Sequence, residues 1–402
     1  MEKLKPLKPI AGPPAEGKDR FFPRDNIIKR IRRKLKSGGH LLLSAPRRIG
    51  KTSILKHIED NPQENQIIKY IIVQSVDTSE EFFKKLYNAL LDDKEIFDGL
   101  NGYWKRTTSS AKRYASRITG FSIEGSVEVG EEETINYYDE CMLLIEHFDK
   151  KEKSIIIFID EFPDAINNIL VKNESLAIKF LQQNRDMRQS FSNTSLQFVY
   201  TGSTGLNNVV KKLNELDLIN DVPSIPIAPF DTEEAKTLIK RLVLGFREDN
   251  ETFNIDDKTI DYILKKIRWR LPYYMQIIVE ELFEYYEVNE ISLNASIVEE
   301  VISNIVKENS DHQNYFENWK RRLRTAFKNE EYDLAVAVLN YIAKNETIDY
   351  ALFHDMSISY GVDDDRYVLD VLMHDGYISE KDKVYGFNSI LLKEWWYINV
   401  AT

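Results

Sequence analysis

One stretch, LLLSAPRRIGKTSIL at positions 41–55, constrains the fold of this chain more than any other. It joins an apolar run, typical of a short buried strand, to a segment typical of a helix start. The residues between them, from Ala45 to Thr52, match the phosphate-loop pattern G-x-x-x-x-G-K-[ST] with alanine for the first glycine. Such loops hold phosphate with backbone N–H groups in front of a helix N-terminus. The stretch therefore predicts a strand, a phosphate loop and a helix, in that order.

The positions of this loop have distinct predicted roles. Gly50 lets the backbone approach the ligand, Lys51 reaches the β- and γ-phosphates, and Thr52 places its hydroxyl on Mg²⁺. Alanine at position 45 is a mild departure, because that position requires a small residue more than it requires glycine. The sequence leaves open whether Arg47 and Arg48 bind nucleotide or pair with acidic groups. The predicted ligand-binding set is Ala45, Pro46, Arg47, Arg48, Ile49, Gly50, Lys51, Thr52 and Ser53.

A second segment, KSIIIFIDEF at 153–162, predicts a buried parallel strand that ends in two carboxylates. Asp160 at such a strand end holds the Mg²⁺ shell together with Thr52. The adjacent Glu161 polarises the attacking water in phosphoryl transfer. Five apolar residues precede the pair, which argues against two acids in an ordinary surface loop.

Two weaker groups are further candidates for catalysis. Thr201 and Ser203 follow the strand-like run LQFVY, where a hydroxyl would sense the γ-phosphate between the central strands. The alternative is a simple strand-end turn. Arg185 and Arg188 lie on the preceding helix, and either is a candidate arginine finger toward a neighbouring subunit. Surface salt bridging is the competing interpretation for both.

The order of elements indicates an α/β fold with several domains. Strands alternate with helices up to about residue 230, which predicts a parallel sheet flanked by helices. A helical pattern follows, and the last segments predict three helices and a hairpin, the elements of a winged helix. The run FSIEGSVEVG at 121–130 predicts a hairpin within an insertion. The predicted domains are an extended arm at 1–20, a phosphate-loop core at 21–230 with an insertion at about 78–148, a helical lid at 231–325 and a winged helix at 326–402.

Charge and composition limit the partners. The 402 residues carry a net charge of -11, which argues against a protein that coats DNA. From Glu331 to Thr402 there are five Lys and Arg against thirteen Asp and Glu, so the predicted winged helix is disfavoured for DNA. A DNA contact would instead use KRIRRKLK at 29–36 or the basic segment from Lys105 to Arg117. The single cysteine and the lack of a signal or a bilayer-length apolar run predict a cytoplasmic protein without membrane contact.

Five segments together resemble the archaeal-type P-loop ATPases, a family of the AAA+-like and STAND group. They are FFPRDNIIKRI, SAPRRIGKTSIL, IIIFIDEF, YTGSTGL and LPYYMQIIVEEL. The resemblance spans about residue 10 to the C-terminus, and the loop and the acid strand are its specific parts. It implies a slow, Mg²⁺-dependent ATPase that binds ATP and ADP.

The resemblance also implies where the adenine lies. It places the base near the segment that holds Phe22 and Arg24, and near the lid turn that ends in Pro272. Pro23 and Arg270 stand where the family usually has glycine, so the turn geometry at Arg270 is open, and an arginine there is a candidate second sensor.

Family members typically act as ATP-driven switches or assembly modules. We therefore expect a switch in signalling, defence or stress control, with a protein partner or self-association through the lid and winged helix. The alternative is a DNA-associated AAA+ loader or transposition-type regulator. A scaffold that keeps a nucleotide only for stability is a third hypothesis.

Overall fold

The computed structural model describes residues 4–100, 102–119, 134–148, 153–191, 196–202 and 205–401. They form two compact units. The first, here called the sheet unit, comprises Arg24–Ser44 and Ile54–Pro226. The second, here called the helical unit, comprises Met1–Pro23, Ala45–Ser53 and Ile227–Thr402. The phosphate loop thus groups with the N-terminal arm and the C-terminal part, whereas the sequence placed it within a core at 21–230.

The sheet unit is built on five parallel strands in the order β2-β3-β4-β1-β5. The strands are β1 (Leu41–Ser44), β2 (Gln66–Ile72), β3 (Ser154–Asp160), β4 (Leu196–Gly202) and β5 (Ser224–Pro226). This arrangement confirms the predicted parallel sheet. Because helices cover both faces of such a sheet, its inner strands are mostly apolar. Every residue of β3 from Ile155 to Asp160 is buried, and so is all of β4.

Helices connect these strands. They belong to the sheet unit, except that the first three residues of α2, 51–53, are part of the helical unit. They are α1 (Asp25–Lys36), α2 (Lys51–Asp60), α3 (Ser79–Leu91), α4 (Lys94–Asp98), α5 (Ser109–Thr119), α6 (Tyr137–His147), α7 (Phe162–Lys172), α8 (Glu174–Ser190) and α9 (Leu206–Lys212). Helices α3 to α6 occupy the predicted insertion, and α3 packs against α6. The predicted hairpin at 121–130 lies outside the described residues.

The helical unit continues the chain after β5 with the predicted run of helices. They are α10 (Thr232–Phe246), α11 (Asp257–Ile267), α12 (Pro272–Asn289), α13 (Ala295–Val306) and α14 (Gln313–Ala326). The N-terminal arm lies on this unit, since the Leu7 side chain is buried and its amide donates to the carbonyl of Arg241 at 2.9 Å. Gly245 on α10 leaves room for the arm, because a Cβ there would overlap the carbonyl of Leu7.

Four helices and three short strands follow, where the sequence predicted three helices and a hairpin. The elements are α15 (Asn329–Asn345), β6 (Ile348–Asp349), α16 (Tyr350–Ser359), α17 (Asp365–His374), β7 (Ile378–Lys381), β8 (Val384–Phe387) and α18 (Ile390–Asn399). The three strands form an antiparallel sheet in the order β6-β8-β7. Trp395 and Trp396 on α18 are fully buried, so they belong to the core of this part. No helix within the described ranges is both long and apolar enough to cross a bilayer.

Candidate functional site

The phosphate loop connects the end of β1 to the first residue of α2. Its backbone has positive φ at Arg48 (63°) and at Gly50 (96°), the kind of alternation that turns successive N–H groups into an anion-binding concavity. A Cβ at position 50 would meet no atom within 4 Å, so glycine is needed there for its φ. Ala45 is buried and is not among the residues with positive φ, so its methyl group causes no backbone strain.

Lys51 is the first residue of α2 and is 7% exposed. Its ammonium donates to the carbonyl oxygens of Ala45 at 2.7 Å and of Pro46 at 3.0 Å, so the side chain folds back over its own loop. Thr52, which follows it in the first turn, is half-buried. An anionic phosphate oxygen attracts an ammonium group more strongly than a neutral carbonyl oxygen does. The lysine is therefore placed where a bound phosphate would compete for it.

The two loop arginines contact helices that are more than 200 residues away in sequence. The Arg48 guanidinium lies 5.0 Å from the ring centroid of Tyr273 on α12 and 5.7 Å from that of Tyr315 on α14. The two rings stack on each other at 4.1 Å. Arg47 donates to the side-chain oxygen of Asn318, also on α14, at 3.2 Å. Within the helical unit, the loop is thus held by α12 and α14.

The loop also touches the turn that follows α17. Gly376 lies there with a φ of 91°, and a Cβ at this position would come within 2.9 Å of both Pro46 and Trp269. A larger residue at position 376 would therefore push against the loop. This contact connects the loop with the C-terminal part of the chain.

The N-terminal arm makes a third set of contacts with the loop. The amide of Ala15 donates to the Ser53 hydroxyl at 2.9 Å, and the Arg48 guanidinium donates to the carbonyl of Gly12. The predicted arm is therefore docked on the loop and on the first turn of α2. Ser53, predicted to bind the ligand, uses its hydroxyl oxygen as an acceptor for this arm.

The sheet unit holds the two acids. Asp160 ends β3 and is 4% exposed; its Oδ2 accepts from the Tyr70 hydroxyl at 2.6 Å and its Oδ1 from the Glu161 amide at 3.1 Å. Glu161 has φ 60° and ψ 38°, in the left-handed region, directly before α7. A non-glycine residue in that region costs about 1–3 kcal/mol, and such strain clusters at active sites. This strained backbone position directly follows Asp160.

Thr201 lies near the end of β4, between β1 and β3, and it pairs with Leu43 of β1. It is fully buried, and its hydroxyl has no hydrogen-bond partner among the described residues. An unsatisfied buried hydroxyl costs about 1–3 kcal/mol, which a ligand oxygen would offset. Ser203 and Thr204 lie outside the described residues.

The two candidate finger arginines differ in burial. Arg188 is 1% exposed, and its guanidinium binds both carboxylate oxygens of Asp221 at 2.8 and 2.9 Å and the Tyr200 hydroxyl at 3.2 Å. This placement is at odds with the predicted finger role, because a finger must leave its own domain to reach a neighbouring site. Arg185 is half-buried, and its Nε lies 2.9 Å from the Gln189 side-chain oxygen in the amide orientation that satisfies both groups.

The candidate adenine residues fall in both units. In the helical unit, the Phe22 ring lies 5.3 Å from the Phe230 ring, and Phe230 exchanges hydrogen bonds with Arg270. Pro272 follows that turn as the first residue of α12, so Phe22 and the lid turn meet through Phe230. Arg24, in the sheet unit, is 6% exposed and precedes α1 as its N-cap residue.

Several of these contacts were missed at the sequence level. Four of the contacting residues are typical of ordinary strands or helices, and they belong to no motif with a recognisable spacing: Tyr70, Tyr273, Tyr315 and Asn318. Only the register of β2 on β3 and the packing of the helical unit bring them to the predicted residues. The sequence offered no signal for them.

No protein-family model matches the chain, and no curated protein matches it. Solved structures do match. The Walker-type ATPase PABY2304 of Pyrococcus abyssi is similar over 95% of this chain and 98% of its own, with a TM-score of 0.61 and 16% identity. The ORC2 protein of Aeropyrum pernix, solved as ADPNP–ADP complexes, is similar over 93% of this chain and 91% of its own, with a TM-score of 0.51 and 12% identity. At these identities the likeness concerns the fold, and the chain has the AAA+-like P-loop fold that both proteins share.

Proposed function

We propose that this chain is an ATP-binding, slowly hydrolysing switch whose nucleotide state is read by its C-terminal helices. The observation that carries the proposal is the contact of Arg48 with Tyr273 and Tyr315. A phosphate loop that changes shape on binding nucleotide cannot leave these contacts unchanged. The P-loop fold and the likeness to a Walker-type ATPase support nucleotide hydrolysis as the chemistry.

Three residues have separate proposed roles in binding and hydrolysing the nucleotide. Lys51 binds the β- and γ-phosphates, and Thr201 senses the γ-phosphate through its buried hydroxyl. Glu161 polarises the attacking water, so its carboxylate acts as the general base. The strands β1, β4 and β3 are parallel neighbours, so their carboxyl ends lie at one edge of the sheet, with Ser44, Thr201 and Asp160 at or next to these ends. The phosphate loop begins directly after Ser44.

The residues fit a magnesium ion. Thr52 offers a hydroxyl and Asp160 a carboxylate, both of them the hard oxygen ligands that Mg²⁺ takes, with the nucleotide phosphates supplying further oxygens. Thr52 and Asp160 would hold the ion, which neutralises charge on the phosphates when bound. The base would lie near Phe22 and Pro272.

We expect the nucleotide state to change the C-terminal part of the chain through its contacts with the loop. We assign that part to the predicted winged helix, and its net charge favours a protein partner or self-association over DNA. Nucleotide exchange would alter the contacts of Arg47, Arg48 and Pro46 with α12, α14 and the turn after α17. Such a change requires only that the two nucleotide states differ in their affinity for the two loop shapes.

Solution size in two nucleotide states tests the proposal. Small-angle scattering and sedimentation would be measured with Mg·ADP and with a non-hydrolysable Mg·ATP analogue at cellular protein concentrations. We expect a different radius of gyration or mass in the two states, and no difference for Lys51→Ala, which cannot bind nucleotide. Identical size and mass of the wild type in both states would reject the switch.

A DNA-associated regulator is the second candidate function, and one observation favours it. Five cations on α1 are exposed, and none of them forms an ion pair with another described residue: Lys29, Arg30, Arg33, Lys34 and Lys36. In a chain of net charge -11, this face is the part suited to a phosphate backbone.

Binding to labelled duplex and single strands, with Mg·ATP present and at rising salt, tests this second function. A DNA complex predicts a steep fall of affinity with salt, and a shallower slope for the variant Lys29→Gln/Arg33→Gln. Lack of binding at low salt would eliminate the DNA function and leave the switch intact.

A further inference from the structure

The Tyr70 hydroxyl donates a hydrogen bond to one carboxylate oxygen of Asp160, the proposed metal ligand. Tyr70 pairs with Phe158 in the β2–β3 register, two residues before Asp160. Since side chains alternate along a strand, positions 158 and 160 share one face of the sheet. The Tyr70 ring reaches from the level of Phe158 to that of Asp160, and its hydroxyl donates to Asp160 Oδ2 at 2.6 Å.

Tyr70 is itself held by the helix that starts at the phosphate loop. The Lys56 ammonium on α2 lies 4.1 Å from the centroid of the Tyr70 ring and 3.1 Å from a carboxylate oxygen of Glu59. The other oxygen of Glu59 accepts from the Tyr70 amide at 3.1 Å. Ring and backbone of Tyr70 are thus both fixed by α2, through residues that the sequence motifs do not include.

Two hydrogen bonds restrain the Asp160 carboxylate. Oδ2 accepts from Tyr70 and Oδ1 from the Glu161 amide, so both carboxylate oxygens are held by neighbours in the sheet unit. Hydrogen bonds to a metal-binding carboxylate or histidine typically contribute about 10–100-fold in metal affinity or activity.

We propose that Tyr70 is a positioning residue that orients Asp160 for Mg²⁺ when nucleotide is bound. The inference rests on the proposed nucleotide function and names one more residue of the same site. Tyr70 acts through Asp160 and touches neither the nucleotide nor the reacting atoms. A purely structural tyrosine would affect the free energy of unfolding and leave metal affinity unchanged.

Metal binding can be measured without turnover. Mn²⁺ would be titrated into the protein with AMPPNP and followed by electron paramagnetic resonance, with urea unfolding measured in parallel. We expect Tyr70→Phe to weaken Mn²⁺ binding about tenfold, while the affinity for AMPPNP in EDTA stays the same. The double variant Tyr70→Phe/Asp160→Asn should bind Mn²⁺ no more weakly than Asp160→Asn alone, since the tyrosine acts through that carboxylate.

Tyr350→Phe is the matched control. Its hydroxyl donates to Asp365 at 3.1 Å, so the variant removes the same kind of bond in the C-terminal part. Mn²⁺ affinity should stay at the wild-type value in this control. Wild-type Mn²⁺ affinity in Tyr70→Phe would overturn the inference while the proposed function stands. Failure of the wild type itself to bind AMPPNP would instead reject the proposed function.

Discussion

The phosphate loop and the acid strand are held in place in different ways. The acid strand β3 is buried from Ile155 to Asp160 within the parallel sheet, and its terminal acid is held by neighbours on β2 and at position 161. The phosphate loop is held by side-chain contacts with α12, α14 and the N-terminal arm. The first arrangement is rigid because the sheet cannot shift without losing its core. The second consists of a few polar and cation–π contacts that a ligand can exchange.

Under the proposed function, this difference suits the two regions to separate tasks. A carboxylate that holds a metal ion must stay within about 0.5 Å of its productive position, and burial in a sheet provides this. A switch element must have two arrangements that differ by a few kcal/mol, and exchangeable contacts provide those. Variants of the sheet scaffold should therefore lower stability, whereas variants of the loop contacts should mainly alter coupling.

The largest expected effect is the loss of the ion pair between buried Arg188 and half-buried Asp221 behind β4. Arg188→Gln removes the guanidinium that binds Asp221 and Tyr200, and leaves the carboxylate without its partner. We expect the free energy of unfolding to fall by about 3 kcal/mol, measured by urea denaturation. Arg185→Gln, on the same helix and half-buried, is the control and should cost less than about 0.5 kcal/mol. Equal stability of the two variants would contradict a scaffold role for Arg188.

Glu161→Gln tests the proposed catalytic role of the acid pair at the end of β3. We expect ATP binding to be retained and turnover to fall about 100-fold, because the attacking water loses its base. Single-turnover hydrolysis and equilibrium binding separate the two quantities. Normal turnover would remove Glu161 from its proposed role.

The scaffold should also respond to pH through His40. Burial, reinforced by the nearby charge of Arg188, lowers the pKa of His40 to about 4, and its Nδ1 accepts from the Phe198 amide at 3.1 Å. Because this pKa lies below the unfolded value of about 6.5, the unfolded chain takes up the proton first. His40 should therefore lower the free energy of unfolding as pH falls from 6.5 toward 4, by about 2 kcal/mol at pH 5 relative to pH 8.

Comparison with His40→Asn isolates this contribution. Asparagine keeps an acceptor for the Phe198 amide and does not titrate. The loss of stability between pH 8 and pH 5 should be about 2 kcal/mol smaller in the variant than in the wild type. Parallel curves for the two proteins would show that His40 does not stay neutral in the fold.

The smallest stability effect is expected at the loop. Arg48→Met keeps much of the side-chain volume and removes the cation over Tyr273 and Tyr315. We expect a loss of about 1 kcal/mol in thermal unfolding. The control Arg324→Met, whose exposed guanidinium lies 5.4 Å from the Tyr332 ring, should lose less. Only the Arg48 variant should lose the difference in solution size between the ADP and ATP-analogue states. Retention of that difference would break the proposed link between loop and helices.

Much of the fold could be predicted because it depends on local patterns. Four of the five strands, β1 to β4, are mostly apolar runs, and the loop and the acid pair are contiguous motifs. The side-chain contacts could not be predicted, since they join distant positions such as Arg48 and Tyr315 or Tyr70 and Asp160. Arg188 shows the same limit, because an arginine on a polar-looking helix face gives no sign of the half-buried Asp221 beside it.

Hydrogen–deuterium exchange of the full chain, with Mg·ADP and with a non-hydrolysable Mg·ATP analogue, tests most directly whether α12 and α14 read the loop. We predict that the two states differ in amide exchange at 45–53, at 272–289 and at 313–326. In Arg48→Met the difference should persist at 45–53 and vanish at 313–326. Exchange differences confined to the loop and the sheet unit of the wild type would contradict the account.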